Sequence, residues 1–177
     1  MKMANYVSIY SDVKIATAAN ASQIFSTRVI PALINIWLDQ SPGASDDVVQ
    51  TTSADFSYLF DIGRERLIAA WGMSQGRFGG ERDSSRMRHH PLSAGQPYHR
   101  GHAIPHRLGG SLDINLVPQL GRINTGPFRE FERRAVATPG ALYFTFWKYR
   151  GSGQTPDSVD QGLLVPGEIP KIVAFGN

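Results

Sequence analysis

All five histidines of this chain fall between His89 and His106, and one stands in the string Arg100-Gly101-His102. Downstream come Asn115-Leu116-Val117-Pro118-Gln119 and then Asn124. Cleaving a phosphodiester needs a base to deprotonate water, a positive group to offset charge on the phosphoryl oxygens, and stabilisation of the leaving oxygen. A neutral histidine is the usual base near pH 7. A Mg²⁺ ion held by one or two hard oxygen ligands, keeping several waters, supplies much of the rest. Guanidinium groups clamp phosphate. His102 fits the base, Arg100 places a guanidinium beside it, and Gly101 lets backbone or substrate approach closely. The side-chain carbonyl of Asn124 is a suitable oxygen ligand, with a simple helix cap as its bland alternative. In this order and spacing the residues predict a metal-dependent nuclease.

Other readings attach to the same residues. His99, His102 and His106 have spacings that suit zinc, although Gly101 and Pro105 argue against one helix presenting all three. His106 either approaches a substrate phosphate or serves loop packing. His89 and His90 lie in a polar stretch and are expected to be exposed. Arg77, Arg82, Arg86 and Arg88 either track a nucleic-acid backbone or are simply solvated. Trp71 and Trp147 are expected in the core. Gly109-Gly110 is expected to turn the chain between two strands.

Net charge is only +3, but it is unevenly spread. Between Arg77 and Arg134 lie ten arginines, five carboxylates and no lysine. Arginine forks match phosphate geometry bidentately, so this basic stretch suits a polyanionic partner. With no cysteine in the chain, disulfides and thiolate metal sites are excluded. Hydrophobic residues at 41% and charged residues at 19% predict a packed core. The most apolar run, Val29 to Leu38, is interrupted by Pro31 and Asn35 and is too short for a membrane span. No signal peptide is evident, so the expectation is a cytoplasmic protein, or one exported by a signal-less route to act in a target cell.

The elements that must position these residues read as α+β, built on an antiparallel sheet. Residues 1–53 are expected to form a partly helical N-terminal appendage, with a short strand at Val7–Tyr10 and a helix from Pro31 to about Asp39. Residues 54–177 are expected to form the functional domain. Phe56, Tyr58 and Phe60 alternate, Asp61-Ile62-Gly63-Arg64 offers turn chemistry, and Leu67 to Trp71 follows, which predicts a β-hairpin. Ile114 to Val117 reads as a strand and Asn124 to about Ala137 as a helix capped by Asn124. Ala141 to Tyr149 reads as a strand, Gly151 to Asp160 as a loop, and Ile172 to Phe175 as a last strand.

The stretch Tyr98-His99-Arg100-Gly101-His102, followed by Leu108-Gly109-Gly110, Asn115 to Gln119, Asn124-Thr125-Gly126 and Glu132, resembles the DNA/RNA non-specific endonucleases. These belong to the ββα-metal (His-Me finger) nucleases. A looser likeness over Phe56–Tyr149 points to nuclease modules of secreted bacterial toxins. The resemblance implies that His102 is the general base and Asn124 the protein ligand of Mg²⁺, for which Mn²⁺ can substitute. It implies that Asn115 orients the site, that Glu132 supports the hydrated ion, and that Arg100 stabilises the phosphorane or its leaving group. Glu130 and Glu132 point about 200° apart on a helix, and the motif spacing selects Glu132. Arg107, Arg122 and His106 are the expected contacts to substrate. The implied reaction is one-metal hydrolysis of DNA, and of RNA as a further substrate, leaving a 5′-phosphate and a 3′-hydroxyl. A toxin of this kind implies an acidic immunity protein as partner. The chain departs from the family pattern at His99, where an aspartate is usual. That departure keeps open a competing class, a catalytically inactive nucleic-acid-binding module of the same fold.

Overall fold

The computed structural model describes residues 2–80 and 97–177. The positions expected to matter at Arg82, Arg86, Arg88, His89 and His90 lie outside them. The fold is α+β, centred on a six-stranded antiparallel sheet of order β1-β2-β3-β6-β7-β8. Its strands are β1 (Val48–Ser53), β2 (Phe56–Asp61), β3 (Arg66–Met73), β6 (Leu142–Lys148), β7 (Ser158–Leu164) and β8 (Lys171–Gly176). The expected β2–β3 hairpin is present, with a register shift between Leu59 and Phe60. A separate two-stranded ribbon pairs β4 (Tyr98–His102) with β5 (Leu116–Leu120).

Strand alternation gives the sheet two buried faces. Along β6, Leu142, Phe144 and Phe146 enter one apolar cluster, whereas Tyr143 and Trp147 enter the other. The first cluster is covered by α1 (Tyr10–Ile15), α2 (Ala21–Ile24) and α3 (Ile30–Asp39). Trp37 lies at its centre, with its ring 5.3 Å from that of Trp71 and 5.4 Å from that of Phe144. Pro31 stands in the first turn of α3, and the wider π turn Phe25–Val29 precedes it. Proline cannot donate to the preceding turn, which favours a local change of helical pitch there. Val7–Ile9, expected as a strand, is instead a 3₁₀ turn leading into α1. Tyr6, Ile9 and Val13 are all buried at helical spacing, and that periodicity outweighs the β-preferring residue types. The boundary proposed at residues 53 and 54 falls in the turn between the paired strands β1 and β2.

Two buried ion pairs close the loops around this frame. Arg66 Nε lies 3.3 Å from Asp61, and its other nitrogens donate to the carbonyls of Gly43, Gly151 and Gly153. Lys148 Nζ lies 2.5 Å from Asp160, whose other carboxylate oxygen accepts from the Ala4 amide and the Tyr6 hydroxyl. Strand β7 carries Asp160, so the loop expected through that residue ends earlier, before Ser158.

The second face is covered by an excursion between β3 and β6. It carries the ribbon, then α4 (Gly121–Thr125) and α5 (Pro127–Val136). Its two ends are stitched together: Ser74 donates to the Ala141 carbonyl at 2.8 Å, and Gly140 donates to the Ser74 carbonyl at 2.8 Å. Phe128, Phe131 and Ala135 form the buried stripe of α5, with Phe128 6.0 Å from Trp147. One helix was expected from Asn124 to Ala137. The chain instead breaks at Gly126 (φ −100°, ψ −120°), because the residue before Pro127 is pushed out of the helical region. Asn124 therefore sits inside α4 rather than capping a helix. Among the described residues no helix is long and apolar enough to cross a membrane.

Candidate active site

His102 ends β4, opposite Leu116 of β5, and is 7% exposed. It shares one face of the strand with Arg100, while His99 and Gly101 point to the other. Gly101 is required by close approach: a Cβ there would collide with the Gln119 side chain. The backbone just after His102 is held by Asn115. The Asn115 amide donates to the carbonyls of Ile104 (2.7 Å) and Ser111 (2.8 Å), and its side-chain oxygen accepts from the Ile104 amide (2.6 Å). The Asn115 carbonyl also accepts from the Ala103 amide at 2.8 Å. Only a side chain that both donates and accepts can do this, so the asparagine reads as a clamp on the chain leaving the histidine. The Ala103 carbonyl in turn accepts from Thr145 Oγ1, which accepts from the Trp147 indole N–H. The histidine segment is thus tied to β6 of the main sheet.

From Pro105 the chain makes a 3₁₀ turn, His106–Leu108, which ends at Gly109 with φ +100°. Gly110 follows directly, where a Cβ would strike the Ile104 carbonyl. The glycine pair expected to turn the chain does lie between β4 and β5, within a longer connection than a hairpin.

These elements wall a cleft of about 330 Å³. His102 comes from β4, His106 and Arg107 from the 3₁₀ turn, Asn124 from α4, and Glu132 from α5. Arg129 and Arg133 complete its cationic side. Of the sequence-derived site residues, His102, His106, Arg107, Asn124 and Glu132 therefore meet. Asn115 stands behind them as a buried support. Arg100 and Arg122 do not line the cleft; Arg122 is exposed on α4, two positions from Asn124 and so on a different side of the helix. Glu132 is half-buried in the cleft while Glu130 is exposed. Beneath the cleft, Tyr143 is fully buried, and that burial, reinforced by the charge of Glu132, pushes its hydroxyl pKa well up.

Arg129 and Arg133 were not singled out from the sequence as functional. The signal was present, since Arg129, Glu132, Arg133 and Val136 follow helical spacing and all line the cleft. Phe78 was also passed over. Its amide donates to the Arg107 carbonyl at 2.7 Å, and its ring stands perpendicular to that of His106, with centroids 5.9 Å apart.

Asn124 and Glu132 offer amide and carboxylate oxygens to one cleft. The three histidines considered for zinc do not converge. His99 lies against Gly121, where a Cβ would come within 2.6 Å of its Nε2, while His102 and His106 face the cleft. Among the described residues no three His, Asp or Glu side chains gather as a metal site.

No protein-family model matches this chain, and comparison with curated proteins finds no match. The functional reading therefore stands on residues and geometry.

Proposed function

We propose that this protein is a Mg²⁺-dependent, sequence-tolerant endonuclease in which β4, β5 and the α4–α5 segment act as a ββα-metal finger. The observation that carries the reading is the single cleft in which His102, Asn124 and Glu132 meet from three separate elements beside Arg107, Arg129 and Arg133. Such convergence of a base, hard oxygen donors and guanidinium groups matches the needs of phosphodiester hydrolysis.

In this reading the cationic wall receives the phosphate, and His102 takes a proton from the attacking water. The new P–O bond forms as the bond to the 3′ oxygen breaks, and that oxygen leaves as a hydroxyl after taking a proton from solvent. Asn124 and Glu132 are the residues that would hold Mg²⁺, with Mn²⁺ as a substitute. When bound, the ion offsets charge on the phosphoryl and leaving oxygens. Asn115 positions the histidine through residues 103 and 104. Contacts of this type address phosphate rather than base edges, so DNA is cleaved with little regard to sequence and RNA is a second candidate substrate. A toxin role follows the same reading, with an acidic immunity protein covering the arginine-rich cleft.

A plasmid-nicking assay with Mg²⁺, with EDTA and with His102→Ala tests the proposal. Mg²⁺-dependent cleavage that falls roughly 10²–10⁴-fold in the variant is expected. Intact plasmid and intact RNA with both Mg²⁺ and Mn²⁺ would overturn it in favour of a binding module.

A further inference from the structure

Beside the cleft lies a second hollow of about 270 Å³. Its walls include Asp55, Gln75, Arg77 and Phe78, over a floor that contains Phe56 and Leu108. The floor residues are 2% and 3% exposed, as core residues should be. Phe78 is 49% exposed. Its backbone is held while about half of the side chain is left open to solvent. Its amide is fixed by Arg107, and its ring packs against Gly109, where a Cβ would sit 3.5 Å from it. The ring stands perpendicular to the His106 imidazole and also lies against Gly80, where a Cβ would collide with it. His106 and Arg107 line the candidate active cleft, so the partition between the two hollows is the Phe78–His106 pair.

We propose that Phe78 is a stacking platform for one nucleobase of the nucleic-acid strand whose phosphate occupies the cleft. The proposal rests on the nuclease reading above for that strand's identity. A nucleotide carries its base one sugar away from its phosphate, and the second hollow begins one side chain away from the first. The exposed part of the aromatic ring accepts any base, because every base has a π-face. Gln75 and Asp55 at the rim offer donors and acceptors to a base edge, and Arg77 adds a cation near the backbone. A base inside a duplex is already stacked on both sides. Phe78 can therefore engage only an unpaired or locally melted strand, which makes single-stranded nucleic acid the preferred ligand.

The test is a fluorescence-anisotropy titration in EDTA, so that binding is read without cleavage. The probes are a labelled single-stranded oligodeoxynucleotide, the same backbone bearing tetrahydrofuran abasic residues, and the matching duplex. The parent is compared with Phe78→Ala, Phe78→Leu and Phe78→Trp. Leucine keeps apolar cover over Leu108 and Gly109 but removes the π-face, so it controls for a folding defect in the alanine variant. The parent is expected to bind the base-bearing single strand on the order of tenfold more tightly than the abasic strand, and more tightly than the duplex. That preference should vanish in the alanine and leucine variants and persist in the tryptophan variant. Equal binding of the two strands by the parent, no binding of either, or a preference that survives Phe78→Leu would overturn the platform. Parallel cleavage assays in Mg²⁺ separate the two ideas. Cleavage without base preference upholds the nuclease and overturns the platform, whereas a Phe78-dependent preference without cleavage upholds the platform and overturns the nuclease.

Discussion

The two faces of the main sheet are buried by opposite kinds of cover. On one, α1 to α3 lay down an apolar layer whose aromatic rings interlock around Trp37. Polar groups on that side, Lys148 and Asp160 among them, are sealed in and used to hold the N-terminal segment. On the other face, α5 buries one stripe and turns its charged side outward to the cleft. The same β6 strand serves both: its even-numbered aromatics pack the helical layer, and Thr145, which accepts from the Trp147 indole, reaches the histidine segment. The lesson is that one rigid strand lets packing and placement be specified separately, by alternate residues.

Trp37→Ala breaks this comparison most sharply. It should cost about 3–5 kcal/mol of stability, read by denaturant unfolding, while cleavage per folded molecule stays near that of the parent. Loss of specific activity as large as that of His102→Ala would show that the faces are not separable. Separating Lys148 from its partner by Asp160→Ala should likewise cost on the order of 3–5 kcal/mol, because it strands a buried charge. Freed from the Ala4 and Tyr6 contacts, the N-terminal segment should exchange its amide hydrogens faster, with the cleft unaffected.

The opposite behaviour is expected from Asn115→Ala. Its stability cost should be smaller, about 1–3 kcal/mol for the unsatisfied groups at Ile104 and Ser111. Its effect on kcat should be disproportionate, since the residue supports the chain at His102. A variant that unfolds more easily but turns over normally would remove Asn115 from any positioning role.

The smallest effect concerns alkaline pH. Burial raises the hydroxyl pKa values of Tyr6, Tyr58, Tyr143 and Tyr149, with the Asp160 charge adding to the shift at Tyr6. An unfolded tyrosine titrates near 10. The unfolded chain therefore loses these protons first, so stability holds below about pH 10 and falls as pH rises beyond it. Tyr6→Phe on the helical side and Tyr143→Phe on the cleft side should each make that fall shallower in circular-dichroism melts between pH 9 and 12. An unchanged slope in either variant would mean that its tyrosine is not kept protonated by the fold.

What the sequence made legible was local pattern. The β2–β3 hairpin followed from alternating aromatics and the Asp61–Arg64 turn, and β6 and β8 followed from their apolar runs. Strand β7 was missed because Asp160 and Gln161 look like loop residues until their partners are known. Asp160 meets Lys148, and the Gln161 amide donates to the Phe128 carbonyl and to the Tyr143 hydroxyl. All three partners are distant in sequence, so no local rule could supply them. The helical layer's union with the sheet was obscured in the same way, since the contact of Trp37 with Phe144 is wholly tertiary. At the cleft, residue types and order pointed to His102 and Asn124, and the family resemblance pointed to Glu132. Arg129 and Arg133 were hidden among many arginines and emerged only once the face of α5 was fixed.

The stitch between Ser74 and Ala141 has a wider consequence. Because the chain leaves and re-enters the sheet at one point, everything from residue 75 to residue 140 is topologically a graft on a β3–β6 hairpin. The graft nevertheless supplies the cover of the second face, where Phe128 meets Trp147 and Thr145 donates to the Ala103 carbonyl. The segment that lines the cleft is therefore entered and left through one hydrogen-bonded junction in the frame.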